Sequence, residues 1–244
     1  MTEKFIGYFR LIDACGERGC PLCRCLAAES RRYLEALLHE QVTDVDTRRR
    51  IRLSWGFCNW HTWMLVDIAG STFGAAIVYE DLVGRLLRRT GELRQRSRPA
   101  GWLRGLRSAR SLATLVDLWK RRAACPGCVD AAATETRYLD TLLAFVDDEA
   151  LRAAYALSDG LCVPHLVQAV EREHANVDAL VTRTRQAWAR LGRDLAAFVG
   201  KHDHRNRQPF TAAEAAACTR ALEMLAGARG VFGSVRGRAA PEAR

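Results

Sequence analysis

The chain has 244 residues, of which 49% are apolar and 27% charged, an ordinary balance for a globular protein with one large or two small domains. No stretch approaches the ~18–20 consecutive apolar residues that span a bilayer. The N-terminus lacks the apolar run of a secretory signal. We therefore expect a cytoplasmic protein with no membrane association, in which nine cysteines stay reduced and form no disulfide framework.

The helical pattern predicts an all-α protein, because no stretch alternates with period two. In chain order we expect helices after Cys20, at 44–54, from the 58–61 turn with a break at Gly70–Gly74, after Cys125, at 147–157 and at 164–199 almost without interruption. A final helix begins at Thr211, with Glu214 completing a capping box, and ends near Gly227. The predicted boundaries are 1–89, a basic linker with a short helix at 90–122, 123–200, a polar loop and helix at 201–230, and a flexible tail at 231–244.

A repeat dominates the sequence. Residues 20–38 read CPLCRCLAAESRRYLEALL and residues 125–143 read CPGCVDAAATETRYLDTLL, at a constant offset of 105. After a gap of one residue, LSWGFCNWH (53–61) matches LSDGLCVPH (157–165). Each copy therefore contains Cys-Pro-x-Cys followed by Gly-x-Cys-x-x-His.

Four ligand-type residues per copy predict a metal site. Two residues between ligands let both side chains of such a turn reach one ion, and zinc structural sites combine two such turns into a tetrahedron. We expect each copy to close its own site, and the two predicted sets are Cys20, Cys23, Cys58 and His61, and Cys125, Cys128, Cys162 and His165. The predicted fold is thus two pseudo-repeated helical units, each held by a Cys3His site, plus a C-terminal helix.

Other chemistries remain open for the same residues. A Cys-x-x-Cys pair at a helix start also suits thiol exchange, and three cysteines with one histidine can bind an iron–sulfur cluster. Zinc is favoured because four ligands leave no coordination position open. Cys15, Cys25 and Cys218 lie outside the pattern; Cys25 is either an alternative ligand, a reactive thiol or an ordinary surface or core residue, and Cys218 is expected in the core.

Two polar segments offer further hypotheses. Residues 85–122 carry 12 Lys and Arg against two acids, an excess of ten that accounts for the net charge of +9. We interpret 88–110 as a flexible linker, with binding of nucleic acid or an acidic partner through its arginines as an alternative. The second segment is either a polar helix exit or a ligand, metal or acid–base site, and consists of Lys201, His202, Asp203, His204 and Arg205.

With these motifs, the chain resembles an uncharacterised bacterial family known as a domain of unknown function, with paired Cys-Pro-x-Cys…Cys-x-x-His units and a Lys-His-Asp loop. The resemblance brings no activity, although it raises interest in residues 201–205. The sequence therefore predicts a two-zinc binding or scaffold module with an unknown partner. An enzyme using the 201–205 loop, a nucleic-acid-binding protein and an iron–sulfur or redox protein are the alternatives.

Overall fold

The computed structural model describes residues 4–96, 116–117, 119–203, 205–206 and 208–232, without the side chains of 92–96. These residues form ten helices and no strand. The helices are α1 (Ile6–Cys15), α2 (Pro21–Glu40), α3 (Val45–Ser54), α4 (Asn59–Val66), α5 (Thr72–Arg96), α6 (Pro126–Phe145), α7 (Glu149–Leu157), α8 (Val163–Val170), α9 (Val177–Lys201) and α10 (Ala212–Ala226). The all-α prediction is confirmed for the described part of the chain.

The described residues divide into two compact units, named here by their position in the sequence. The central unit contains 30–96 and the described part of 116–130, and the terminal unit contains 4–29 and 131–232. The division falls inside α2, between Glu29 and Ser30, and inside α6, between Asp130 and Ala131. Each unit therefore combines segments from both copies of the sequence repeat.

An apolar cluster forms the core of the central unit. Three leucines of α2, at positions 34, 37 and 38, pack with residues of α3, α4 and α5 and of the turn after α4. The cluster consists of Leu34, Leu37, Leu38, Ile51, Leu65, Ile68, Val78 and Leu82. Burying such side chains supplies the main driving force for folding, at ~1.5–3 kcal/mol for each fully buried one.

The terminal unit contains α1, which the sequence patterns above do not predict. Its buried side chains are Tyr8, Leu11, Ala14 and Cys15, at helical steps that periodicity alone would have detected. The Tyr8 ring packs against Phe145 at a centroid distance of 5.1 Å. Its hydroxyl donates a hydrogen bond to Asp148, whose side chain caps the N-terminus of α7. Burial of the tyrosine and satisfaction of its hydroxyl together fix α1 on this unit.

The prediction of one helix over 164–199 is wrong. Helix α8 ends at Val170 and α9 begins at Val177. In the turn between them Glu173 adopts a left-handed backbone, with φ of 49°, and His174 Nδ1 accepts a hydrogen bond from the Asn176 backbone N–H. The left-handed backbone at Glu173 lies outside the α-helical region, so α8 and α9 cannot form one continuous helix through this turn.

The predicted linker at 90–122 overlaps α5, which continues through Arg96; all of 97–115 lies outside the described residues. The short helices α3 and α7, the interruption between α4 and α5, and the capping box at Thr211 are confirmed. Within the described part, no helix has both the length and the apolar character needed to cross a lipid bilayer.

Candidate metal centres

Eight cysteine and histidine side chains meet in two groups, one in each unit. The terminal site consists of Cys20, Cys23, Cys162 and His165, and the central site of Cys58, His61, Cys125 and Cys128. In each group all four ligand atoms lie within 4.8 Å of one another. Among the described residues these are the groups of three or more Cys, His, Asp or Glu side chains that can hold a metal ion.

The predicted pairing within each repeat is wrong. The first Cys-Pro-x-Cys turn meets the second Cys-x-x-His turn in the terminal site, and the second meets the first in the central site. The sequence therefore predicted the eight residues that converge but not their partners. The four side chains predicted as one site are shared between two units, so neither predicted set can bind one ion.

The spacing of the ligand atoms fits one tetrahedral ion. In the terminal site His165 Nδ1 lies 3.3 Å from Cys20 Sγ, 3.5 Å from Cys23 Sγ and 3.1 Å from Cys162 Sγ. The two sulfurs of Cys23 and Cys162 are 3.8 Å apart. A zinc ion with Zn–S of ~2.3 Å and Zn–N of ~2.0–2.1 Å holds its ligands ~3.6–3.8 Å from one another. The residues present therefore fit zinc.

The central site has the same dimensions. His61 Nδ1 lies 3.1 Å from Cys58 Sγ, 3.6 Å from Cys125 Sγ and 3.5 Å from Cys128 Sγ. The sulfurs of Cys58 and Cys128 are 3.5 Å apart. Both histidines use Nδ1 in their groups, which leaves Nε2 of each ring available for a second interaction.

Helix starts position every ligand. Cys58 and Cys162 are the N-cap residues of α4 and α8, and each histidine follows three residues later, on the same side of its helix. Proline is the first residue of α2 and of α6, where its fixed φ suits the helix and its missing N–H costs nothing. The positive end of the helix macrodipole and the unpaired N–H groups of the first turn favour thiolates at these positions.

The terminal site is buried and has an outer layer of polar contacts. Its four ligands are at most 4% exposed. His165 Nε2 lies 3.0 Å from Glu135 Oε1, and Gln168 Nε2 donates a hydrogen bond to the same oxygen. A carboxylate on the far nitrogen of a metal-binding histidine fixes the ring and strengthens it as a ligand. Sequence reasoning missed Glu135, although it follows Cys128 by seven residues on the same helix.

The segment after α10 covers the terminal site. The backbone N–H of Ala228 donates to Cys23 Sγ at 3.4 Å, and the Phe232 ring lies against the His165 ring at 4.8 Å between centroids. Gly227 adopts φ of 81°, where an added Cβ would lie 2.4 Å from the Phe232 ring. A glycine is therefore required for this turn to approach the site.

The central site lacks the matching outer contacts. Cys58 and Cys128 are only half-buried, and His61 Nε2 has no hydrogen-bond partner in the part of the chain that the structure describes. At the repeat offset of 105, the residue corresponding to Glu135 is Ser30, whose buried hydroxyl also has no partner there. Gly127 lies against the His61 ring, because an added Cβ would be 2.7 Å from its Cδ2 atom.

Both histidines bind protons tightly in these surroundings. Burial lowers the pKa of His61, but hydrogen bonds and charge from Cys125 and Cys58 outweigh burial and raise the pKa to about 9. Burial also lowers the pKa of His165. The charge of Cys20 and hydrogen bonds with Cys162 and Glu135 outweigh burial, and they raise this pKa well above its ordinary value. A metal ion must displace these protons, so its affinity increases with pH.

The other three cysteines lie outside both groups. Burial raises the pKa of Cys15 to about 12 and raises that of Cys25 as well. Both thiols therefore stay protonated at neutral pH, which argues against a reactive Cys25. The expectation of a core position for Cys218 is wrong: its side chain is exposed, while Ala217 and Glu214 provide the buried face of α10.

The polar loop at 201–205 makes local contacts. Lys201 Nζ forms an ion pair with Glu214 at 2.7 Å, and the His202 ring packs between Phe198 and Phe210. Asp203 Oδ1 accepts a hydrogen bond from the Arg205 backbone N–H, and His204 lies outside the described residues. These contacts connect the end of α9 to the start of α10. A ligand-binding role of the loop stays a prediction.

One comparison with known proteins gives a match. The model of a family of unknown function, DUF6062, matches residues 1–230. The chain belongs to this family. No curated protein and no solved structure matches the chain. Membership in DUF6062 confirms the predicted resemblance to an uncharacterised domain family and assigns no activity.

Proposed function

We propose that this DUF6062 chain is a two-zinc helical protein whose ions are structural and whose helices present a surface to a binding partner. The observation that carries the proposal is that in each group three sulfurs and one imidazole nitrogen lie within 4.8 Å of one another, the ligand set of a four-coordinate zinc site. Catalytic zinc sites have three protein ligands and keep one position for water. Four protein ligands leave no such position, which favours a structural role.

The donor set favours zinc over an iron–sulfur cluster. The four protein ligands of a cluster are divided between two or four irons, so ligands on different irons lie farther apart than the ligands of a single ion. Here all four ligand atoms lie within 4.8 Å, and each group includes an imidazole, a common zinc ligand. We keep the cytoplasm as the proposed location, since thiolate ligands need a compartment in which cysteines stay reduced.

Each site combines a Cys-Pro-x-Cys turn of one repeat with the Cys-x-x-His turn of the other, so each ion would connect distant parts of the chain. The terminal site joins residues 139 positions apart, Cys23 and Cys162, and the central site joins residues 70 positions apart, Cys58 and Cys128. Zinc binding to small structural sites supplies ~10–16 kcal/mol of apparent free energy at neutral pH. Because the metal-free chain has to hold six thiols and two imidazoles together without an ion, we expect folding to depend on zinc.

Metal analysis of pairs of substitutions tests both the metal and the pairing. Wild-type protein purified without added metal should contain two zinc ions per chain. The double variant Cys23→Ser/Cys162→Ser removes ligands of one group and should retain one ion. The double variant Cys23→Ser/Cys58→Ser damages both groups and should retain none. Pairing within repeats predicts the reverse order of the two variants, and iron in place of zinc would contradict the proposed metal.

A chelator tests the structural role. Removal of both ions should lower helicity and abolish the cooperative thermal transition, which circular dichroism measures. Protein that melts unchanged after complete zinc removal would show that the ions are not structural.

A further inference from the structure

The central unit contains a cavity of about 440 Å³ with a strongly basic wall. Six arginines line it, from α3, from α5 and from the segment that precedes Cys125. They are Arg52, Arg85, Arg88, Arg89, Arg121 and Arg122. Trp55, in a left-handed conformation with φ of 56°, also lines the cavity. We name this cavity the arginine pocket.

Few carboxylates neutralise the arginine pocket. No acidic residue is part of its wall as far as the described residues extend. Arg52 pairs with Asp81 at 2.7 Å, and hydrogen bonds from Arg52, together with the charges of Arg48 and Arg85, lower the pKa of Asp81. In the same described residues, Arg85, Arg88 and Arg121 have no carboxylate at ion-pair distance. Mutual repulsion among guanidinium groups makes an anion the complementary occupant.

The other copy of the repeat provides an internal comparison. The terminal unit has a cavity of about 430 Å³ whose wall includes Arg190 and Arg193 of α9. These residues correspond to Arg85 and Arg88 of α5 when the two helices are aligned at their first residues, Val177 and Thr72, an offset of 105. This second cavity also contains two aspartates, Asp159 and Asp194.

Two aspartates offset part of the charge of the four arginines that line the second cavity, which are Arg18, Arg190, Arg193 and Arg220. Arg220 forms ion pairs with Asp159 at 2.6 Å and with Asp194 at 2.8 Å. The match of LSDGLCVPH with LSWGFCNWH places Trp55 at the position of Asp159, and the alignment of α9 with α5 places Arg89 at the position of Asp194. Both cavities have arginines in their walls, but among the described residues only the second also has aspartates, because the matching positions of the first are a tryptophan and an arginine.

We propose that the arginine pocket binds phosphate groups, either of a single-stranded nucleic acid or of a free nucleotide. Arginine forks match phosphate oxygens in two-point hydrogen bonds, and the cavity has the size of a small-molecule site. Two tryptophans adjoin the arginines, as in single-strand sites where bases stack on aromatic rings: Trp55 lines the cavity, and Trp119 is 57% exposed with Arg122 4.1 Å above its ring. This inference names the partner of the proposed binding module, so it rests on that function.

Fluorescence anisotropy with a labelled 12-nucleotide single strand tests the site, using the full zinc-loaded chain. Wild-type protein should bind at 50 mM salt and lose affinity as salt increases. The variant Arg85→Gln/Arg88→Gln should bind at least ~10-fold more weakly and reduce the slope of log K against log salt by ~1.4 for two lost phosphate contacts. The matched control, Arg190→Gln/Arg193→Gln, alters corresponding positions beside the aspartates and should change affinity less than twofold.

Competition separates the two sources of phosphate. If ATP displaces the strand from the wild-type protein, and this displacement is lost in the Arg85→Gln/Arg88→Gln variant, the pocket is assigned to a free nucleotide. If ATP does not displace the strand, the pocket is assigned to nucleic acid. An equal loss in both double variants, or no binding of either probe at 50 mM salt, overturns the proposal. Zinc content measured on the same samples separates this outcome from failure of the metal sites, because both arginine variants should retain two ions.

Discussion

The carboxylate behind His165 should control how tightly the terminal site holds its metal. Glu135 Oε1 lies 3.0 Å from His165 Nε2, and the glutamate side chain is only 10% exposed. Loss of such an outer contact typically reduces metal affinity ~10–100-fold, equivalent to ~1.4–2.7 kcal/mol. Glu135→Gln keeps an oxygen that can accept the ring N–H and loses only the charge, so we expect ~10-fold. Glu135→Ala leaves the buried N–H unpaired and should approach ~100-fold.

The assay is zinc transfer to a chromophoric chelator, followed in time. Wild-type protein should release its two ions in separate phases, because the ligands of the terminal site are more completely buried and have an outer layer of contacts. Only the slower phase should accelerate in the Glu135 variants. Glu171→Gln, an exposed glutamate on neither site, is the matched control. Equal acceleration of both phases, or no change in either, would refute the role assigned to Glu135.

Four further results are expected. Gly127→Ala should lower the zinc affinity of the central site alone, because its new Cβ would lie 2.7 Å from the His61 ring. In the chelator assay, zinc release from the central site, the faster phase, should accelerate. Zinc affinity of the central site should rise with pH, because the metal displaces thiol protons and the proton of His61, whose pKa the neighbouring cysteines raise to about 9. Leu34→Ala should cost ~2–5 kcal/mol of unfolding free energy in urea titrations, since Leu34 is fully buried. Thr211→Ala should cost ~1 kcal/mol in the same titrations by removing the N-cap of α10.

Specific outcomes would contradict these expectations. A change in the slow phase with Gly127→Ala would place the affected ligand in the other site. Zinc affinity that does not change between pH 6 and 9 would show that zinc displaces neither thiol protons nor a proton of His61 when it binds. Leu34→Gly is unsuitable as a comparison because it adds backbone freedom; Leu34→Val, expected to cost less than Leu34→Ala, is the appropriate control. A loss below ~0.3 kcal/mol for Thr211→Ala would show that the cap contributes little.

Local signals in the sequence were sufficient for much of this protein. Helical spacing of apolar residues predicted most of the helical segments. The cap formed by Thr211 and Glu214 followed from the order of residues alone. The two Cys-Pro-x-Cys and two Cys-x-x-His turns are also local, because each sets two ligands three positions apart on one turn of backbone. The eight ligand residues were therefore predictable without coordinates.

Local signals could not predict which Cys-Pro-x-Cys turn shares a site with which Cys-x-x-His turn. Pairing within a repeat and pairing across repeats use the same residues and the same ligand chemistry. The longer loop from Cys23 to Cys162, 139 positions in place of 35 to Cys58, adds only ~1.2 kcal/mol of loop-closure entropy. Packing of helices easily exceeds this difference, so spacing along the chain carries almost no information about the choice.

Tertiary packing of α2 made that choice. Eleven helical residues, a rise of ~16 Å, separate Cys23 from Leu34, which belongs to the core of the central unit together with Leu65 of α4. A continuous helix cannot bring its first turn and its apolar leucines to the same place, so Cys23 joins the terminal unit while Leu34 packs in the central one. The sequence alone determined which eight side chains form the candidate metal sites, and most of the helical segments, although it missed α1 and the break between α8 and α9. Only the tertiary structure decided which ligands share an ion, because that depends on the length and rigidity of helices packed against distant parts of the chain.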